Sequence, residues 1–447
     1  MKKTIRHQAV EILNQVHAAH DFAGPLINDC LDKYNLSGTP DGRLLTHLVY
    51  GVLRFRGHLD WLLKKLYRGD FAKMQEDIKN VLRVSLYQLR FSERLPDFAV
   101  VNEGVEIAKI INPDKSSLVN AILRNFLRRG QNLSFPSEKK NPVEYLAAFH
   151  SHPEWMIQTW IKTFGLQETK ALCSADNTLP PLTLRVNTLK ISRNDLKEKL
   201  AAAGFESQTT PYSPNGIILS TAVKPIQKTE FFDKGLLRIQ DEGAQLIACL
   251  VNPERNESIL DACAGAGGKS SHLAALLENK GFILAFDRNQ EKITELKKEI
   301  IRLGITIIET QAGNVSAGLP DAFRERFDCV LVDAPCSGLG TLRRNPEIKW
   351  RIMQNDILSF AAQQKKILQQ ASAAVKRGGR LIYCTCSVLP EENENIVEHF
   401  LRVNNQFSLG KPSSTIIRPL TDSSGFFRTF PHRHNMDGFF GALLIRQ

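Results

Sequence analysis

The chain has 447 residues, 43% of them hydrophobic and 23% charged. We therefore expect two or three globular domains, and neither a small protein that depends on disulfides or metals nor a disordered chain. The formal net charge of +11 favours polyanionic partners, with nucleic acid first. The eight cysteines are thinly spread and no apolar run is long enough for a secretory signal or a membrane span. We therefore expect a protein of the reducing cytoplasm, with free thiols and no membrane partner. We also expect a monomer, although no feature of the composition determines the oligomeric state.

The N-terminal range 1–140 is predicted to form an all-α domain, because apolar residues recur at helical spacing from Thr4 to about Gly130. Turn and cap residues interrupt this pattern at 37–40, 95–96, 112–113 and 130. The range contains 22 Lys and Arg against 15 Asp and Glu, which is over half of the net charge. Solvated helix faces explain any single cation equally well, but the concentrated surplus favours a domain that binds RNA.

Residues 141–250 are predicted to form a small α/β subdomain. An amphipathic helix around Trp155 to Phe164 precedes an expected strand at 182–187, a helix at 193–203 and a strand at 216–220. Arg185 and Asn187, on the first of these strands, could contact RNA. The subdomain could equally be a connector, and the sequence leaves both interpretations open.

The range 251–447 alternates strands with helices, which is typical of a doubly wound parallel α/β sheet. A last apolar strand at 438–445 is expected to close the edge of that sheet. The other expected elements are strands at 258–261, 282–287, 306–309, 328–333 and 380–384, and helices at 269–277, 290–303 and 354–375.

The first strand of this domain leads into a turn of small residues, DACAGAGGKS at 261–270, which predicts a cofactor site. Glycines and a helix N-terminus allow a ligand to approach the backbone, and Asp287 ends the next strand, where a carboxylate typically binds ribose hydroxyls. A dinucleotide fingerprint would need glycine in place of Ser270, and a phosphate-binding loop would need glycine in place of Cys263. An adenosine-type cofactor without a pyrophosphate, such as S-adenosylmethionine, fits better, and a tight turn without a ligand is the alternative.

Two cysteines follow two other predicted strands: Cys336 in DAPCSG and Cys386 in YCTCS. Ligands of open α/β sheets bind beyond the carboxyl ends of the strands, so both thiols are expected beside the cofactor turn. Cys329 and Cys384 lie within the strands and are expected to be inert buried side chains. We expect no metal, because no CxxC pair occurs and no histidine is near Cys336 or Cys386 in the sequence.

The segments DACAGAGGKS, DAPCSGLGTLRRNPEIKW, YCTCSVLPEENE and DGFFGALL resemble the cytosine-C5 RNA methyltransferases of the Fmu, Sun and RsmB group. Upstream, RHQAVEILNQV, THLVYGVLR, LVNAILRNFLRR, LRVNT and RIQDEGAQL are similar to the same group, whose N-terminal domain resembles the NusB antitermination fold. The resemblance covers nearly the whole chain. It implies S-adenosylmethionine as methyl donor and a cytosine of small-subunit (16S) ribosomal RNA as substrate. A single-stranded or loop target is expected, because the base must leave its stack to enter a pocket.

The resemblance also implies roles for individual residues. Cys386 becomes the nucleophile that adds to carbon 6 of the cytosine, Cys336 the thiol that assists product release, and Asp333 the proton partner of the base. An exchange of roles between the two cysteines stays open. The cofactor site falls on Cys263, Ala264, Gly265, Ala266, Gly267, Gly268, Lys269, Asp287, Asn314 and Asp333.

Two positions depart from the pattern of the group. Ala266 stands where a proline is common, which should make the cofactor turn less rigid, and Asn314 stands where an aspartate commonly accepts from the adenine amino group. An asparagine oxygen can still accept that hydrogen bond, but weaker cofactor binding is expected.

Two functions of other classes compete with methyl transfer. A nicotinamide-dependent dehydrogenase is disfavoured by Ser270 and by the two strand-end cysteines. A non-enzymatic RNA-binding or antitermination protein with a degenerate catalytic domain is disfavoured because Cys336 and Cys386 are both intact.

Overall fold

A computed structural model describes residues 4–19, 21–92, 95–221 and 224–447. The chain forms two compact units. The first extends to Thr178 and also contains Leu342–Ile352, and the second contains Leu179–Thr341 and Met353–Gln447. The domain boundaries expected at residues 140 and 250 stay predictions.

The N-terminal part of the first unit is all-α, as predicted, and every expected helix break falls between two helices. One break shows the local cause: Pro40 occupies the first turn of its helix, and the Thr39 hydroxyl accepts the Gly42 amide at 3.1 Å. A single core of aliphatic residues fills the space between the first six helices. In chain order the helices are α1 (Ile5–Ala19), α2 (Ala23–Lys33), α3 (Pro40–Leu66), α4 (Glu76–Phe91), α5 (Asp97–Ile111), α6 (Ser116–Arg129), α7 (Pro142–Phe149), α8 (Glu154–Phe164) and α9 (Leu166–Asp176).

The segment Leu342–Ile352 also belongs to this helical unit, although the sequence placed it in the range 251–447. The Arg54 guanidinium donates to the Arg343 carbonyl at 2.9 Å, and the Trp350 indole N–H donates to the Leu53 carbonyl at 2.7 Å. Lys349 is fully buried, and its ammonium donates to the side-chain amide oxygen of Asn177 at 2.8 Å. The segment therefore packs through buried polar contacts with residues far upstream.

The second unit begins with a small antiparallel sheet. The elements of this part are β1 (Leu182–Val186), α10 (Arg193–Ala202), β2 (Glu206–Thr209), β3 (Gly216–Thr221), α11 (Glu230–Asp233), β4 (Leu237–Ile239) and α12 (Glu242–Val251). The predicted elements β1, α10 and β3 are confirmed, whereas the short strands β2 and β4 were not expected. Within the described residues the strand order is β2-β3-β1-β4.

The rest of the second unit is built on a mixed sheet. The remaining elements are β5 (Ser258–Asp261), α13 (Gly268–Leu276), β6 (Phe282–Asp287), α14 (Gln290–Leu303), β7 (Ile308–Ala312), β8 (Phe327–Asp333), α15 (Ile348–Arg351, in the first unit), α16 (Gln354–Ser372), β9 (Val375–Thr385), α17 (Glu394–Val403), β10 (Phe407–Leu409), β11 (Phe427–Arg428), α18 (Pro431–His434) and β12 (Phe440–Arg446). The strand order among the described residues is β10-β12-β9-β8-β5-β6-β7, and β11 also pairs with β12. The pairs from β7 to β9 are parallel, as predicted.

The position of the last strand differs from the expectation. β12 does not close the edge of the sheet; it lies between β9 and β10 and is antiparallel to both. The short strand β10, with the sequence FSL, covers its outer side, and three residues give too little periodicity to be recognised in a sequence. The strand order reverses at β5, and the carboxyl ends of β5, β6, β8 and β9 share one edge of the sheet, where ligands of such folds bind. In the described part of the chain, every helix is too short or too polar to cross a membrane.

Candidate active site

A cavity of about 540 Å³ lies at the carboxyl ends of β5, β6 and β8. It collects side chains and backbone from the cofactor turn, from the ends of the next strands and from both cysteine segments. Among the predicted cofactor residues, Gly267 does not line the cavity; it lies in the turn that forms part of the cavity wall. The predicted residues that do line the cavity are Cys263, Ala264, Gly265, Ala266, Gly268, Lys269, Asp287, Asn314, Asp333, Cys336 and Cys386.

The turn between β5 and α13 depends on two glycines with left-handed backbone. Gly265 has φ of +55° and Gly267 has φ of +76°, and a Cβ atom on Gly267 would lie 2.0 Å from Cδ1 of Leu296. The Asp287 carboxylate fixes the other side of the turn, because it accepts the Gly265 amide at 2.8 Å and the Asn289 amide at 2.8 Å. The turn is thus shaped so that the first residues of α13 face the cavity with the positive end of the helix dipole.

Two arginines that the sequence did not assign to the site hold this turn in place. Arg185 is only 2% exposed, and it donates to the Gly268 carbonyl at 2.6 Å and to the Ser271 hydroxyl at 2.9 Å. Arg238 donates to the Ala266 carbonyl at 2.9 Å. The backbone at Ala266 is therefore restrained by a hydrogen bond where the related group commonly has a proline.

The RNA-contacting interpretation of Arg185 and Asn187 is wrong. Both side chains are buried, and the Asn187 amide donates to the carbonyls of Gly235 and Leu303 at 2.8 Å each. Burial and the neighbouring Arg238 lower the pKa of Arg185 to about 9. Arg185 and Asn187 lie in the motif LRVNT, and Arg238 lies in the motif RIQDEGAQL. Both motifs were recognised in the sequence, but residue spacing could not identify the partners of the two arginines in the cofactor turn.

Asn314 lies at the cavity wall, after β7. Its side-chain oxygen accepts the Ser316 amide at 3.0 Å and so caps the turn at Val315–Ala317. An amide oxygen has two lone pairs, so this cap leaves one for a ligand.

The two candidate thiols are in contact, with 3.4 Å between Sγ of Cys336 and Sγ of Cys386. The hydrogen bond with Cys386, together with burial, raises the pKa of the Cys336 thiol well above its usual range. The shift favours the protonated form of Cys336. The distance between the sulfurs allows either thiol to donate the hydrogen bond.

Asp333 lies between a lysine and a third cysteine. Its Oδ2 accepts from the Lys269 ammonium at 2.5 Å, and its Oδ1 accepts from the Cys384 thiol at 3.5 Å. Burial opposes the charge on Lys269, but the Asp333 carboxylate outweighs burial and raises the pKa of Lys269, which stays protonated. Cys384 is fully buried, as expected, and burial raises the pKa of its thiol well above its usual range. Its contact with Asp333 was not expected.

Among the described residues there is no group of three or more His, Cys, Asp and Glu that could hold a metal ion. The groups that line the cavity include the backbone turn, the carboxylates of Asp287 and Asp333, the ammonium of Lys269 and the adjacent thiols of Cys336 and Cys386.

Comparison with known proteins matches three family models to the chain. Residues 248–445 match 16S rRNA methyltransferase RsmB/F, residues 3–128 match the NusB family, and residues 152–226 match the RsmF/B-like ferredoxin-like domain. The chain is 36% identical over 446 residues to the probable ribosomal RNA small subunit methyltransferase B of Bacillus subtilis, covering 98% of both proteins.

Two further similarities cover the full length. The chain is 32% identical over 450 residues to the ribosomal RNA small subunit methyltransferase B of Klebsiella pneumoniae, covering 100% of this chain and 98% of that protein. The crystal structure of PH0851 is similar with a TM-score of 0.83 at 26% identity, covering 99% of both chains.

Proposed function

We propose that this chain, which belongs to the RsmB/F family of 16S rRNA methyltransferases, methylates carbon 5 of a cytosine in 16S rRNA through a covalent cysteine adduct. Its methyl donor is S-adenosylmethionine. The observation that carries the cytosine-C5 proposal is the contact of 3.4 Å between the sulfurs of Cys336 and Cys386 at the wall of the cofactor cavity. Methylation of a base nitrogen or of a ribose oxygen needs no thiol pair, whereas carbon 5 needs covalent activation.

The cavity fits this cofactor. Its glycine turn has no side chain at Gly265 and Gly268, which leaves the backbone accessible, and its volume of about 540 Å³ suits a nucleoside with an amino acid attached. When bound, S-adenosylmethionine supplies an electrophilic methyl group on a positively charged sulfur. We propose that Asp287 binds the ribose hydroxyls, that Asn314 accepts from the adenine amino group, and that the turn from Cys263 to Lys269 with Asp333 contacts the remainder.

The proposed chemistry begins with the Cys386 thiolate. Its addition to carbon 6 forms a carbon–sulfur bond and moves the double-bond electrons of the ring toward carbon 4 and nitrogen 3, which takes a proton that the Lys269 ammonium passes on through the Asp333 carboxylate. Carbon 5 thereby becomes nucleophilic. Nitrogen 3 returns this proton to Asp333 when carbon 5 takes the methyl group. After methylation, carbon 5 loses its proton, the electron pair of that bond restores the ring double bond, and Cys386 leaves as a thiolate.

Cys336 is proposed to act in that last step. Because it keeps its proton, it can stabilise the departing Cys386 thiolate by donating a hydrogen bond, and a water molecule that it orders can take the proton from carbon 5. The raised pKa of the Cys336 thiol suits it to act as a hydrogen-bond donor. Cys386 is taken as the nucleophile from the family resemblance, and trapping of the attacking sulfur distinguishes it from the exchanged assignment.

The test compares three cysteine variants on 16S rRNA fragments. Cys386→Ser should abolish methyl incorporation and form no covalent complex, because a hydroxyl is far less ionised than a thiol near neutral pH. Cys336→Ala should still attack but stall with RNA bonded to Cys386, in a complex that survives denaturing gels. Cys329→Ala, in the buried strand β8, is the control and should retain both attack and release.

Trapping on RNA that contains 5-fluorocytosine, followed by peptide mapping, identifies the attacking sulfur. An adduct on Cys386 is expected, and an adduct on Cys336 would reverse the two roles while preserving the reaction class. The absence of any methylated 16S rRNA would refute the proposed function and would favour the antitermination alternative.

We also propose that the N-terminal helices bind the RNA, mainly through its phosphates. The exposed arginines at 124, 128 and 129 of α6 belong to the range with the charge surplus. Replacing all three with Gln should weaken RNA binding and reduce its salt dependence, while the same change at exposed Lys297 and Lys298 of α14 should have less effect. A single-stranded or loop target, a monomeric enzyme and a cytoplasmic location complete the proposal.

A further inference from the structure

We infer that Glu392 is the positioning residue that holds the segments of Cys336 and Cys386 together. The inference rests on the proposed two-thiol function, since it assigns Glu392 no contact with RNA or cofactor. It concerns a residue that does not line the cavity and that the sequence did not single out.

The Glu392 carboxylate binds the residue that follows each cysteine. Its Oε1 accepts the Ser337 amide at 2.8 Å, and its Oε2 accepts the Ser337 hydroxyl at 2.5 Å and the Ser387 hydroxyl at 2.5 Å. The Gln364 side chain donates a further bond to Oε1 at 3.1 Å. One carboxylate thus bridges two segments that are 50 residues apart in the chain.

The site is built for a carboxylate. Glu392 is fully buried, and a carboxylate only accepts hydrogen bonds, which matches four donors that converge on it. Hydrogen bonds to an ionised group are shorter and stronger than neutral ones, and a buried network with every partner in place is rigid. An alanine at this position would leave these donors without their acceptor.

The backbone of Glu392 is itself fixed to β9, the strand that leads to Cys386. The Tyr383 hydroxyl donates to the Glu392 carbonyl at 2.5 Å. The neighbouring Asn393 side chain accepts from the Thr385 hydroxyl at 2.6 Å and donates to the Ser387 carbonyl at 2.9 Å. Glu392 therefore transmits the position of β9 to the Cys336 segment.

This arrangement predicts a specific defect. Without the Glu392 carboxylate, the Cys336 segment is free to move away from Cys386, and the step that needs both sulfurs should suffer most. A misplacement of about 1 Å can cost on the order of 100-fold in rate. Cofactor binding should change little, because Glu392 lies behind the cavity wall.

The experiment uses the full-length protein with Glu392→Ala, its conservative partner Glu392→Gln, and Glu398→Ala on the exposed side of α17 as the control. Glu392→Ala should lower turnover by about 100-fold and accumulate the covalent RNA complex, as Cys336→Ala does, with unchanged affinity for S-adenosylmethionine. The double variant Glu392→Ala with Cys336→Ala should release no more slowly than Cys336→Ala alone. Glu392→Gln should restore part of the release, because both serine hydroxyls can turn to accept from its amide.

A second measurement needs no RNA. The hydrogen bond with Cys386 and burial raise the Cys336 thiol pKa, and the nearby Glu392 charge raises it further, so the pH profile of its alkylation by iodoacetamide should shift to lower pH in Cys386→Ala and in Glu392→Ala, but not in Glu398→Ala. Because Glu392→Ala removes a charge as well as the bridge, Ser387→Ala, which keeps the charge, isolates the effect of position. Ser387→Ala removes one of the bridging bonds with a smaller change and should shift the profile in the same direction. It keeps the test decisive if Glu392→Ala does not fold.

Two outcomes would overturn the inference: normal release of methylated RNA by Glu392→Ala, or a Cys336 alkylation profile that neither Glu392→Ala nor Ser387→Ala alters. A wild-type protein that does not methylate cytosine would instead refute the proposed function. The alkylation profiles would still decide the role of Glu392 in that case.

Discussion

The cofactor turn offers a quantitative test at Gly267. The substitution Gly267→Ala places a Cβ atom on a residue with φ of +76°, which costs about 1–2 kcal/mol for an L-residue. The same atom would lie 2.0 Å from Cδ1 of Leu296, a fully buried side chain of α14, and such overpacking adds about 1–3 kcal/mol. The second unit should therefore lose about 2–5 kcal/mol of stability.

Gly378 provides the matched control. Its φ is +74°, and a Cβ atom there would meet no heavy atom within 4 Å, so Gly378→Ala should cost only the backbone contribution of about 1–2 kcal/mol. The difference between the two variants isolates the contact with Leu296. Because Gly378 is far from the cofactor turn in the sequence and does not line the cavity, its variant should also bind S-adenosylmethionine normally.

The assay must observe the second unit. All four tryptophans lie in the helical unit, so their fluorescence would miss the effect, and amide hydrogen exchange of the central strand β5 is the appropriate probe. Equal destabilisation by Gly267→Ala and Gly378→Ala would refute the reasoning. So would a double variant with Leu296→Ala that shows no favourable coupling, since the smaller side chain should relieve the overlap.

Three further predictions concern cofactor binding and pH. Asn314→Asp should preserve or strengthen S-adenosylmethionine binding and Asn314→Ala should lose about 1 kcal/mol, measured by calorimetry; equal affinities would place the residue outside the site. Arg185→Met should weaken cofactor binding by about 1–3 kcal/mol, because the Gly268 carbonyl loses its shortest hydrogen bond, and Arg185→Lys should not restore it; loss of RNA affinity at saturating cofactor would contradict this role. Burial lowers the pKa of His58 to about 4, so below pH 6.5 the unfolded chain binds a proton at this residue that the folded helical unit does not bind. The contribution of His58 to stability should therefore fall by about 1.4 kcal/mol per pH unit from 6.5 toward 4, measured by tryptophan fluorescence in urea. The pKa values of His150 and His152 in the same unit are lowered as well, so His58→Gln should reduce the total slope by that amount without removing it.

The sequence by itself determined most of the local structure and the kinds of groups in the site. Helix breaks at 37–40 and 112–113, the glycine turn after β5 and the two cysteines at strand ends all follow from local periodicity and turn chemistry. Such features depend on neighbours within a few residues. The convergence of Asp287, Cys336 and Cys386 on one cavity followed as well, because the carboxyl ends of parallel strands must share one edge.

Only the tertiary structure decided which polar side chains are buried and what they bind. Arg185 binds the Gly268 carbonyl of the cofactor turn, and Lys349 binds Asn177 in the helical unit. The partners are 83 and 172 residues apart in the sequence, so local patterns could not reveal either contact. Glu392 likewise joins both thiol segments. A charged side chain is usually exposed to solvent. It is buried and forms structural contacts only when distant segments of the chain bring its hydrogen-bond partners into the protein interior.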